Sequence, residues 1–285
     1  MNKILAFIIL FFAAPNISFA AEKDKATQHI KLTYKAYWGG FVISKIYSSG
    51  HMSAADYAVE ASYKVTGLAT IFSNMENKVT ARGKFAPDGS LKPLLYTNQG
   101  RWGKKYSFHN RTAFQEEGSK IISHEFAFKF KEDVEYIPIR EEHRYGPDMV
   151  SFYLGLSLDK DAMKIGEKVM HQNIFGGFFL LDISYQCTGN KRLKSKRSIY
   201  NGDALVCEFS DEIVDGGFKR INKKKKIPQK NKRKKKNTDT MEPTPLQIWY
   251  AKVDGLDDMI PVYSEFPIGW GKVRVYLAEI EVTTE

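Results

Sequence analysis

Short segments in which apolar and polar residues alternate, each closed by Gly, Asn, Asp or Pro, make up most of this chain. A period of two marks strands with one buried face, and turn residues at such short intervals leave little room for long helices. His29 to Trp38 alternates and stops at Gly39-Gly40, and Phe41 to Tyr47 follows at once, which predicts a hairpin. Tyr57 to Thr66 alternates through Tyr57, Val59, Ala61, Tyr63 and Val65. Lys78 to Phe85 runs into Pro87-Asp88-Gly89, a turn whose residues set the required backbone angles. Leu91 to Gln99, Lys104 to Thr112 and Ser119 to Phe130 continue the pattern. After a gap come Phe178 to Thr188, Ser195 to Tyr200, Ala204 to Glu212, Gln247 to Lys252, Ile260 to Phe266 and Lys272 to Val282. Such a meander predicts an all-β fold, with a strongly curved antiparallel sheet that is barrel-like or spiral.

Two stretches break the alternation. Pro147-Asp148 places a proline at an expected first helical position with an acid beside it, which suits the helix dipole. Met149, Val150, Phe152, Tyr153, Leu154 and Leu156 then make that helix, near 147 to 158, apolar on most sides, so burial is expected. Leu68 to Ser73, after Gly67, reads as a second, shorter helix.

The first twenty residues have the layout of a secretory signal peptide. Lys3 gives a positive start, Ile4 to Ala14 is uncharged and apolar, and Ser18-Phe19-Ala20 ends in a small-x-small pattern before Ala21. The apolar core is about half of the roughly 20 residues that a membrane-spanning helix needs. Cleavage near Ala20 is therefore expected, leaving one β-rich domain from about residue 27 to 285 in an exported, periplasmic protein. Its two cysteines, Cys187 and Cys207, both lie in strand-like runs. In an oxidising compartment they are expected to form a disulfide, closing a loop worth about 3 kcal/mol by chain entropy.

The formal charge of +10 comes from one place. Twelve of the 43 Lys and Arg lie between Lys219 and Lys236, with no acid among them, and the rest of the chain has 31 bases against 33 acids. The segment 219–237 has no hydrophobic periodicity and is expected to be a disordered insertion in a strand connection. In a cell envelope, Lys223, Lys224, Lys225, Lys226, Lys232, Arg233, Lys234, Lys235 and Lys236 would offer contact to anionic lipid, by about 1 kcal/mol for each residue near the surface. No aromatic interrupts the run, so nucleic-acid bases find no stacking platform, and no nucleic-acid partner is expected.

Signals for catalysis are weak. The six histidines show neither HxH nor HExxH spacing, and no phosphate-binding glycine loop or GxSxG elbow follows a strand. Glu141-Glu142-His143 joins acids to a histidine, but neighbours in sequence face different ways. No cofactor, metal site or enzymatic activity is expected.

Several motifs taken together resemble the exported bacterial family known as domain of unknown function 3108. They are Tyr34-x-x-Tyr37-Trp38-Gly39-Gly40-Phe41, Tyr57 to Thr66 with Gly67-Leu68-Ala69, and Pro147-Asp148-Met149-Val150-Ser151. Ile174-Phe175-Gly176-Gly177 with Leu181-Asp182-Ile183, Tyr200-x-Gly202-x-Ala204-x-Val206-Cys207, and Trp249-Tyr250-Ala251 with Ile260-Pro261-Val262 add to them. Gly176 stands where that pattern has Asp, and the order at Pro147-Asp148 is reversed. The resemblance implies a β fold in the periplasm of Gram-negative bacteria and names no reaction. The expected role is non-enzymatic envelope support, by binding an apolar ligand inside the curled sheet or by scaffolding. The alternative is docking on an envelope protein or an anionic membrane surface through the Lys-rich loop.

Overall fold

The computed structural model describes residues 27–71, 74–103, 106–116, 119–130, 134–159, 163–166, 169–221, 245–256, 258–268 and 271–284. There the alternation becomes fourteen strands. The first seven are β1 (Gln28–Trp38), β2 (Phe41–Met52), β3 (Asp56–Val65), β4 (Met75–Phe85), β5 (Leu91–Trp102), β6 (Tyr106–Phe114) and β7 (Ile121–Lys129). After them come β8 (Val134–Ile137), helix α1 (Met149–Leu158), β9 (Met170–Phe175), β10 (Phe179–Leu193) and β11 (Gly202–Arg220). The last three are β12 (Leu246–Lys252), β13 (Met259–Ile268) and β14 (Gly271–Thr284).

The strands form two antiparallel meanders. One runs from β1 to β7 and the other from β9 to β14, and pairing of β1 with β14 joins them into one sheet. The first and last described strands thus meet in the middle of the sheet, while β7 and β9 become its ends. Among the described residues these two ends do not pair, so the sheet curls without closing. β8 lies off the main path and pairs with the last residues of β11.

Curvature is built in where the ladder is locally broken. Three prolines sit inside the described strands, Pro93 in β5 and Pro261 and Pro267 in β13, and the first two each lie beside a register shift in the neighbour's pairing. Proline cannot donate to the ladder, and a bulge removes the need. Gly83 and Gly100 provide close approach: a Cβ on Gly83 would stand 2.4 Å from the Tyr57 hydroxyl, and one on Gly100 2.5 Å from the Phe108 ring. Each glycine is the register partner of the aromatic residue it admits.

Helix α1 fills the curl. It touches β4 and β5 on one side and β9 and β13 on the other. Met149, Val150 and Leu154 are 1%, 0% and 0% exposed. The helix begins two residues later than the sequence suggests, at Met149: Asp148 is the N-cap and Pro147 precedes it. An acid able to accept from a helical N–H takes the cap in preference to proline.

Other details differ from the sequence reading. Leu68 to Ser73 is in part a 3-10 turn, Gly67–Ile71, with 72–73 outside the described residues. Ser195 to Tyr200 is no strand but the β10–β11 connection, where Ser and Asn side chains take over the backbone donors. Ser195 N donates to Asn201 Oδ1 at 2.8 Å, and Tyr200 N to Ser198 Oγ at 3.1 Å. Lys219 and Arg220 are not loop residues; they extend β11 opposite Glu135 and Val134. Residues 1–20, read from the sequence as a signal peptide, and residues 222–244 lie outside the described residues.

Leu154→Ala is expected to lower unfolding free energy by about 3 kcal/mol, because the enclosed site cannot collapse onto the missing atoms. A urea titration followed by tryptophan fluorescence measures it.

Candidate functional site

At the entrance to α1 a buried acid meets a hydroxyl relay. Asp148 is fully buried and accepts from Ser151 N at 2.9 Å and from Ser151 Oγ at 2.6 Å. With the serine proton directed at the carboxylate, the Tyr57 hydroxyl donates to Ser151 Oγ at 2.7 Å. Burial pushes the Asp148 pKa up from 3.8 to about 6, and the Ser151 donors oppose that rise without cancelling it. Burial, the Asp148 charge and, in opposition, the Ser151 hydrogen bond act on Tyr57, whose pKa stays well above its ordinary value. Carboxylate, hydroxyl and phenol in series have the composition of a nucleophile relay. Tyr57 and Ser151 are each only 2% exposed, so no substrate in solution reaches them. This is a cap sealed into the core.

A second cluster ties the connection before α1 to the sheet. Asp215 in β11 accepts from Arg140 N at 3.0 Å, from Gly216 N at 2.9 Å and from the His143 ring at 2.8 Å. Desolvation pushes the Asp215 pKa up, but these donors outweigh it and hold it at about 2. Of Glu141-Glu142-His143, the histidine contacts Asp215 directly, and Glu142 joins through Arg140 at 3.6 Å. The imidazole faces a carboxylate and a guanidinium, which is an arrangement for anchoring. Among the described residues no group of three or more His, Cys, Asp or Glu is placed to hold a metal ion.

The third feature is a seam of rings where the two ends of the sheet approach. Phe126 in β7 lies 4.7 Å from Tyr136 in β8 and 5.9 Å from Phe178 before β10. Phe128 and Phe130 meet Phe218 of β11 at 5.6 Å and 4.8 Å. Edge-to-face ring packing thus does what a ladder would do in a closed barrel. At the start of β7 a few backbone bonds help, with Ile121 N donating to Arg144 O at 3.2 Å and Gly146 N to Ser119 O at 3.1 Å. His124, beside Phe175, is held neutral: burial and then the Arg144 charge lower its pKa to about 4.

The rim of this seam is apolar and open to water. Phe126 and Phe128 are 39% and 36% exposed. Ile221, three residues after Phe218 of the seam, is the last described residue before 222–244. Phe218 is followed directly by Lys219 and Arg220, so rings and cations adjoin in sequence at the end of β11.

Of the residues singled out in the sequence, Cys187 and Cys207 are bonded across β10 and β11, directly opposed in register with Cα atoms 3.9 Å apart. Lys223, Lys224, Lys225, Lys226, Lys232, Arg233, Lys234, Lys235 and Lys236 lie outside the described residues. The aromatic seam was not foreseen, although Phe126, Phe128 and Phe130 already share one strand face in the sequence. The space inside the curl, where an apolar ligand was expected, holds the side chains of α1.

No family profile matches the chain, and no curated protein matches it. Among solved structures it is similar to the beta-barrel-like protein of domain of unknown function DUF1849 from Brucella abortus. That match has 7% identity and a TM-score of 0.40, covering 92% of this chain and 100% of the other. It is also similar to the Aeromonas veronii immune modulator A, at 6% identity and a TM-score of 0.21, covering 97% and 100%. The all-β assignment rests on the strand order described above.

Asp148 predicts a pH signature. Its folded pKa is raised, so its carboxyl stabilises the fold fully below pH 3.8, and that contribution fades as pH rises to about 6. Asp148→Asn keeps a capping oxygen and removes the titration. The variant is expected to gain on the parent by on the order of 3 kcal/mol between about pH 4 and 7. Urea titrations of both proteins across that range measure the difference; a constant difference would refute the assignment.

Proposed function

We propose that this is a non-catalytic periplasmic protein that attaches to an anionic lipid surface and supports the cell envelope from there. The observation that carries the reading is the apolar rim of the aromatic seam, whose Phe218 lies just before the polybasic run in the sequence. Rings at a surface enter the headgroup layer with one wet edge, while lysines add long-range attraction to anionic lipid. Either signal alone binds weakly, and the two together make a stable peripheral contact. The body contributes little attraction of its own, since its charges nearly balance. Among the described residues no helix is long and apolar enough to cross a membrane. The burial of Asp148, Ser151 and Tyr57 supports a non-catalytic reading, and the side chains packed inside the curl favour attachment over carriage of an apolar ligand.

Sedimentation with vesicles tests this. The mature chain is expected to bind phosphatidylglycerol vesicles and not phosphatidylcholine vesicles, with affinity falling as salt rises. Phe126→Ser with Phe128→Ser is expected to weaken binding about tenfold, and serine in place of Lys223–Lys226 and Lys232–Lys236 to abolish it. Equal binding to both vesicle types would refute the proposal.

A further inference from the structure

The outer face of β2 to β7 is not flat. It carries a concavity of about 670 Å³, whose floor is backbone at Tyr63, Asn77, Gly100 and Phe108. Antiparallel register arranges its banks. On one, Lys64, Glu76, Arg101, Ser107 and Lys129 stand opposite one another on successive strands. On the other, Tyr47, Ser62, Lys78, Gln99, His109 and Ala127 do the same. The groove therefore runs across the strands, and six strands at about 4.8 Å make it about 24 Å long.

Its chemistry is cationic and polar. Lys64, Lys78, Arg101 and Lys129 line it, against Glu76 as the lining acid. Arg101 holds Glu76 at 2.7 Å and Lys64 lies 3.8 Å from it, so the acid orders the two bases from the middle of the bank. Lys78 pairs with Glu60 at 2.8 Å. Ser62, Ser107 and Gln99 add hydroxyl and amide groups, and Tyr47 stands 52% exposed at the β2 end.

The geometry points to a binding groove for an extended, negatively charged glycan. Acid groups on the sugars meet the lysines and Arg101, sugar hydroxyls meet Ser62, Gln99 and Ser107, and one sugar face stacks on Tyr47. A peptide strand finds no partner here, because the floor's backbone groups are already used in the β3–β6 ladders. A single-stranded nucleic acid would need a ring for successive bases, whereas the exposed phenyl rings, Tyr47 and Phe128, stand at opposite ends. The site shares Phe128 with the seam but does not depend on attachment to lipid.

The test is titration calorimetry of the mature chain with a linear oligogalacturonate, a neutral maltooligosaccharide and an oligonucleotide of equal charge. The acidic glycan is expected to bind at least about tenfold more tightly than either of the others. Lys64→Ala with Arg101→Ala is expected to cost about tenfold or more, because the change also leaves Glu76 facing the ligand unpaired. Tyr47→Ala is expected to weaken the glycan and leave the oligonucleotide unchanged. These side chains are exposed, so thermal melting should not move. Serine in place of Lys223–Lys226 and Lys232–Lys236 is expected to preserve glycan binding. The inference is overturned by no binding of the acidic glycan, by equal binding of the oligonucleotide, or by loss of binding with the serine variant alone.

Discussion

A helix without a polar face has to be enclosed, and the rest of this structure follows from enclosing α1. Ten residues with buried Met149, Val150, Phe152, Leu154 and Leu156 cannot lie on a surface. Two meanders wrap them, and the wrapping buries the helix's N-terminal donors as well. Those donors need a partner inside the core, which is why an acid is found there. Asp148 satisfies them, Ser151 donates to Asp148, Tyr57 bonds Ser151 in turn, and the remaining cost of desolvation shows as a carboxyl that holds its proton to about pH 6.

Wrapping also explains the seam. A sheet curled around a helix brings its ends close without bringing their hydrogen-bond registers into line. Rings tolerate that mismatch, because ring packing demands contact and angle but not register. Phe126, Phe128, Phe130, Phe178 and Phe218 hold the ends together, and the outer edge of this packing stays open to solvent. An apolar rim at the seam is thus a by-product of how the curl is fastened.

The two faces of β2 to β7 divide the remaining work. Residues such as Tyr63, Asn77 and Phe108 are buried, and their outward neighbours form the charged and polar banks of the groove. Period two makes this division automatic: any strand that buries one row presents the other. The interior is occupied by the side chains of α1 and the core.

Much of this is written in the sequence at short range. Alternation marks the strands of both meanders, Gly39-Gly40 fixes the first hairpin, and the apolar run after Asp148 names the buried helix. The Cys187–Cys207 bridge is legible because both residues lie in neighbouring strand-like runs. β8 and β9 are not legible: Val134–Ile137 is four residues long, and Met170–Phe175 shows no clean alternation. Ser195 to Tyr200 looks like a strand, but side-chain bonds to its own backbone turn it into a loop. Sequence by itself determined the all-β character, the helix and the concentration of charge, because these depend on residues within one or two turns of each other. Tertiary structure alone decided that β1 pairs with β14, that rings close the seam, and that Lys64, Arg101 and Lys129 share a groove. Each of these depends on register between strands far apart in the chain, and register is settled only when the sheet curls around its helix.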